Sequence, residues 1–211
     1  VLGAPIRRVF GARRMSLLNW ISPFAPADGA PPKTIVSFMR WALRGSYPAI
    51  VGGSAVSVIS GLIEVASALM LGMVIDAALA GSTTGFFAEN VGLIIAVSVF
   101  FLLFRPIWLG LSGVMQSVII GPAISTLILS RLHRYTLGQS VTFFDDDFAG
   151  RISQKQMQAA SALTNLVVEF VHTVVFALSS VMGSLLLVLT LAWPAGLALG
   201  LWVAGSVFVP R

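Results

Sequence analysis

Few residues in this chain can do chemistry, and most of them come in pairs. Its 211 residues include eight carboxylates, two histidines and no cysteine, which excludes thiolate nucleophiles, disulfides and Cys-based metal sites. Glu64 and Arg105 stand inside long apolar runs. There an ionisable side chain is costly and turns toward a bundle interior or a partner. Glu64 precedes Asp76 by 12 residues and Arg105 follows Asn90 by 15. At about 1.5 Å per residue their depths are roughly 18 and 22 Å, so the two charges match between antiparallel neighbours. A neutralising ion pair that fixes helix register accounts for both; a polar element of an internal cavity is the functional alternative. Glu169 and His172 are three apart and share one face of a helix. Two ligands do not make a zinc site, so they read as a water-facing polar pair. No catalytic or metal centre is expected.

The third constellation is "TFFDDDFAGRISQKQ", residues 142–156. The stretch around it, residues 139–147, is too polar for lipid. Yet Val141, Phe143, Phe144 and Phe148 offer more apolar surface than a solvated turn needs, and such aromatics dock against something. Asp145, Asp146 and Asp147 put negative charge near a helix start, where the macrodipole favours anions, and Gly150 permits the turn. A short helix with an apolar face for a cytosolic partner is the expectation.

The elements that must position these residues follow from composition. The chain is 57% hydrophobic and 10% charged, far from the roughly one quarter charged of soluble domains, so it reads as an integral membrane protein. Apolar segments begin near residues 48, 91, 159 and 195, each a candidate span. The fourth is short and is expected to be incomplete. Residues 1–46 hold seven Lys or Arg, residues 131–155 hold four, and Arg211 closes the chain, whereas the connections 77–90 and 191–195 hold none. The positive-inside rule therefore puts the N-terminus, the 131–155 region and the C-terminal end in the cytosol. Because the basic residues are sorted by topology, nucleic acid is not an expected partner.

Helix running from residue 91 to 130, and from 151 to 190, spans about 60 Å each time, roughly twice a hydrocarbon core. The excess makes a helical hairpin standing about 30 Å into the cytosol, with residues 139–149 at its tip. "PPKTIVSFMRWALRGS" sets Ile35, Phe38, Met39 and Ala42 on one face with Lys33, Arg40 and Arg44 around the rest, the pattern of an interfacial helix. Gly45, Ser46 and Pro48 end it. Residues 1–14 are arginine-rich and acid-free, with no apolar run behind them, so Met15 is the expected natural start. Gly121 and Pro122 are expected to kink the second span, and Gly196-x-x-x-Gly200 to allow close packing.

"SRLHRYTLGQSVTFFDDDFAGRISQKQMQAASAL" resembles the first intracellular loop of ABC exporters. There a long second helix ends in a basic stretch, followed by a Phe-Phe-Asp run, a Gly-Arg element and a polar start to the third helix. "LGMVIDAALAG" and "LAWPAGLALGLWVAGSVFVP" resemble the end of the first span and the third-to-fourth turn of that family. The resemblance covers residues 33–211 and is nearest to bacterial multidrug or lipid-type half-transporters.

It implies an all-α polytopic membrane bundle, the type IV exporter fold, with about four of six helices present. Its parts would be a cytosolic segment 1–32, an elbow helix 33–44, spans at 48–76, 91–134, 151–190 and 195–211, and a coupling-helix region 139–149. Gln139, Val141, Phe143, Phe144, Asp145, Asp146, Gly150 and Arg151 would form the coupling surface for a nucleotide-binding domain holding ATP and Mg. Partners would be that domain, a second half-transporter and lipid. The location would be a bacterial inner membrane, and the activity alternating-access export of a hydrophobic or amphipathic substrate. The chain has no G-x-x-x-x-G-K-[ST] P-loop, so alone it cannot hydrolyse ATP. The reading it competes with is a non-transport membrane scaffold or regulatory subunit that docks another cytosolic protein through the same tip.

Overall fold

The computed structural model describes residues 21–22, 24–25, 27, 29–80, 86–140, 143 and 149–208, and among them there is no strand. Among the described residues the helices follow in order: α1 (Ile35–Ala42), α2 (Tyr47–Ala80), the single turn α3 (Phe86–Glu89), α4 (Val91–Leu137), α5 (Gly150–Leu191) and α6 (Trp193–Phe208). Three of them, α2, α4 and α5, are long and apolar enough to cross a membrane, at 34, 47 and 42 residues. The chain is an all-α membrane bundle. At 1.5 Å per residue α4 runs about 70 Å and α5 about 63 Å, so each outlasts a 30 Å hydrocarbon core by 30 Å or more.

Large apolar side chains such as Leu62, Leu102, Leu178 and Leu186 face outward, while α2 buries Ala49, Gly53, Ser57, Ser60, Gly61 and Ser67. Lipid tails are as apolar as leucine, so burying leucine between spans gains little there; close backbone approach and polar contacts hold the helices together instead. A Cβ on Gly61 would overlap Ser179 Oγ and lie 3.0 Å from both the Phe176 carbonyl oxygen and the Ser180 nitrogen. A Cβ on Gly53 would stand 2.9 Å from Ile120 Cδ1. Glycine at these positions lets α2 lie against both α5 and α4.

Toward the hairpin tip the packing becomes conventional. Ile120, Ile124, Leu127 and Ile128 of α4 meet Leu163 and Val167 of α5, with Ala42 and Leu43 from the end of α1. The tip-side halves of α4 and α5 pack directly on each other, whereas α2 contacts both helices farther up. The face expected on α1 divides: Ala42 is buried with Phe38 and Met39 partly covered against α4, while Ile35 points outward. α6 turns back onto α5, and the turn is tight enough that a Cβ on Gly196 would lie 2.9 Å from Leu189 Cα.

Three π-helical segments interrupt the long helices: Phe100–Phe104 and Met115–Ile120 in α4, and Phe170–Val175 in α5. The two in α4 each end just before a proline, Pro106 or Pro122, in the first turn of the α-helix that resumes. Proline lacks an N–H and its ring crowds the carbonyl four residues back, and a π turn makes room for it. The perturbation expected at Gly121 and Pro122 thus takes the form of a widened turn on their N-terminal side.

Candidate functional site

Three polar contacts join α2 to α4. Arg105 Nη2 donates to Glu64 Oε2 at 2.7 Å, and the guanidinium also stands 5.7 Å over the Phe101 ring, within cation–π range. Trp108 Nε1 donates to Ser60 Oγ at 2.9 Å. Gln116 Nε2 donates to Ser57 Oγ at 3.3 Å. Read down α2 and along α4, the three contacts form a ladder that locks the antiparallel register. Glu64 and Arg105 stand out in the sequence as lone charges. Ser57, Ser60 and Gly61 carry a quieter signal, small residues three and four apart on the stripe that leads to Glu64.

The ladder ends beside a cleft of about 730 Å³ between α4 and α5. Gln116, Ser117 and Ser125 line one wall, and Thr164, Asn165 and Glu169 the other. Gln116 is only 5% exposed, and its Oε1 has no hydrogen-bond partner among the described residues. Glu169 accepts a hydrogen bond at Oε1 from Thr173 Oγ1 at 2.6 Å. His172 is exposed. A π segment opens at Phe170, one residue beyond Glu169, and residues four apart such as Glu169 and Thr173 are neighbours on the helix surface.

Arg131 enters the sequence reading only through the topology count, yet it is 4% exposed. Its Nη1 donates to the carbonyls of Trp41 and Ala42, both at 2.9 Å, its Nη2 to Arg44 O at 2.6 Å and its Nε to Ala25 O at 3.1 Å. The last carbonyls of a helix have no partner within it and carry partial negative charge. A guanidinium fork is the side chain that can satisfy several at once. Gly45, with φ +92°, gives the left-handed turn that aims these carbonyls back at α4. The available signal was an arginine on the apolar stripe Ile124, Leu127, Ile128, Arg131.

At the hairpin tip, Gln139 Nε2 donates to Tyr135 O at 3.1 Å, and the Phe143 N–H donates to Ser140 O at 3.1 Å. Phe143 is exposed, and Gly150 and Arg151 are exposed in the opening turn of α5. Val141, Phe144, Asp145 and Asp146 lie outside the described residues. Among the described residues no three His, Cys, Asp or Glu side chains come together as a metal site would require.

Over 161 residues, 76% of its length, the chain is 25% identical to a Haemophilus influenzae protein described as an uncharacterized ABC transporter ATP-binding protein. It spans 26% of that protein. No family model and no solved structure matches it. The chain is therefore a membrane protein with a distant similarity to one ABC transporter protein. Its polar features are ordered along the bundle: ion pair, cleft, α1 clamp, tip.

Proposed function

We propose that the chain is the permease part of an ATP-driven ABC exporter, moving a hydrophobic or amphipathic substrate by alternating access. One observation carries the reading: the stretch similar to an ABC transporter protein belongs to a chain whose α4 and α5 outlast a 30 Å hydrocarbon core by about 30 Å or more and are joined by a charged, aromatic segment. The tip is the coupling surface, facing the cytosol, and Phe143, Phe144 and Asp145 dock on a nucleotide-binding domain. That domain binds ATP and Mg, since this chain has no P-loop. A second half-transporter completes the pathway, and a bacterial inner membrane is the setting.

In this reading each part has a task. Docking at the tip displaces the α4–α5 hairpin. The Glu64–Arg105, Ser60–Trp108 and Ser57–Gln116 contacts pass that displacement to α2, and the Arg131 clamp passes it to α1. The test is ATP-dependent substrate movement by the complete protein in liposomes. Phe144→Ala with Asp145→Ala abolishes it while leaving folding intact; undiminished transport in that variant would remove the tip from the mechanism.

A further inference from the structure

We propose that the α4–α5 cleft binds the protonated amine head group of a cationic amphiphile, with Gln116 and Glu169 as its acceptors. As a statement about substrate this rests on the exporter reading; as a binding site it rests on the cleft alone. Two groups in the cleft have acceptor capacity to spare. Gln116 commits its Nε2 to Ser57 and leaves Oε1, in a side chain 5% exposed, without a donor among the described residues. A buried unsatisfied carbonyl costs on the order of 1–3 kcal/mol; Oε1 is closed off as it stands, and a ligand N–H recovers that cost once the amide turns toward the cleft. Among the described residues Glu169 accepts from Thr173 at Oε1, and a carboxylate has acceptor sites on both oxygens.

Among the described residues lining the cleft, Glu169 carries the only charge. Spare acceptors and a lone carboxylate select a ligand that is both cationic and an N–H donor. An anion is repelled, and a quaternary ammonium offers Gln116 nothing. Depth selects the rest of the ligand. Gln116 is 25 residues from Val91 and Glu169 is 22 from Leu191, about 38 and 33 Å along their helices and hence at the far boundary of a 30 Å hydrocarbon core. A molecule lying in that leaflet has its head at this level and its tail along apolar surface such as Leu166, which lines the cleft and is exposed.

The test is equilibrium binding of radiolabelled dodecylammonium to the protein in nanodiscs of zwitterionic lipid, corrected for partitioning into empty discs. Dodecyltrimethylammonium and dodecyl sulfate serve as comparison probes. Dodecylammonium binds saturably and more tightly than either. Glu169→Gln weakens it by about tenfold or more, the scale of a lost charged hydrogen bond, while Glu169→Asp retains most of the affinity, separating loss of charge from loss of fold. Gln116→Leu narrows the preference for dodecylammonium over its quaternary analogue. Absence of saturable binding, equal binding of the three probes, or full affinity in Glu169→Gln overturns the proposal. The two readings fail separately. ATP-driven movement of a neutral lipid by the complete protein without dodecylammonium binding sinks the cleft alone. Binding without any ATP-driven transport sinks the exporter reading and leaves the cleft.

Discussion

Arg105 Nη2 lies 2.7 Å from Glu64 Oε2, joining two spanning helices by a charge pair whose side chains are 29% and 47% exposed. Removing one partner leaves the other charge uncompensated in apolar surroundings. Glu64→Gln should lower stability by about 1–3 kcal/mol, and adding Arg105→Met should recover a large part of that loss. Thermal unfolding of the singles and the double in nanodiscs reads the coupling directly. Strictly additive losses would show that the two residues do not act as a pair.

The α1 clamp gives a second prediction. Arg131→Met removes donors from four carbonyls and should cost about 1–3 kcal/mol, the range for leaving a buried acceptor unsatisfied. Arg131→Lys should restore less than half, because an ammonium cannot reproduce the planar fork. Hydrogen exchange at the amides of residues 39–46 locates the damage; protection unchanged in Arg131→Met would refute the clamp.

Backbone proximity between α2 and α5 gives a third. Gly61→Ala puts a methyl into Ser179 and against the backbone of Phe176 and Ser180, and overpacking of this kind costs about 1–3 kcal/mol. Gly72, on the same helix, has nothing within 4 Å of an added Cβ. Gly72→Ala should therefore be neutral or slightly stabilising. Equal melting temperatures for the two alanine variants would contradict the packing described.

Orientation is testable because the chain contains no cysteine. Ala88→Cys and Ser153→Cys place single thiols at exposed positions in α3 and α5. In intact cells a membrane-impermeant maleimide should label the first, and the second only after the membrane is opened. The reverse pattern would invert the topology derived from the Lys and Arg distribution.

The spans were legible because lipid imposes a simple rule: a crossing segment must satisfy its own backbone, and its length is set by the bilayer. That is why "VGLIIAVSVFFLLF" and "SLLLVLT" place α4 and α5 without further argument. Glu64 and Arg105 were legible for a related reason, since a charge in an apolar run has few places to go. Arg131 was not, because its partners among the described residues are main-chain carbonyls 87 to 106 residues away. The π segments before Pro106 and Pro122 escaped notice because proline in a helix predicts strain but not the form its relief takes. Glu169 and His172 are both exposed, and the π segment that begins at Phe170 was no more visible in their spacing than the other two.

The small-residue interior of α2 also has a thermodynamic consequence. When spanning helices separate inside a bilayer, the surfaces of Gly53, Ser57 and Gly61 pass from protein to lipid rather than to water. Heat-capacity change follows the apolar area that becomes hydrated, and here that area is small within the membrane. The stability curve of the spanning region should be nearly straight in temperature, without the downturn on cooling that limits water-soluble domains.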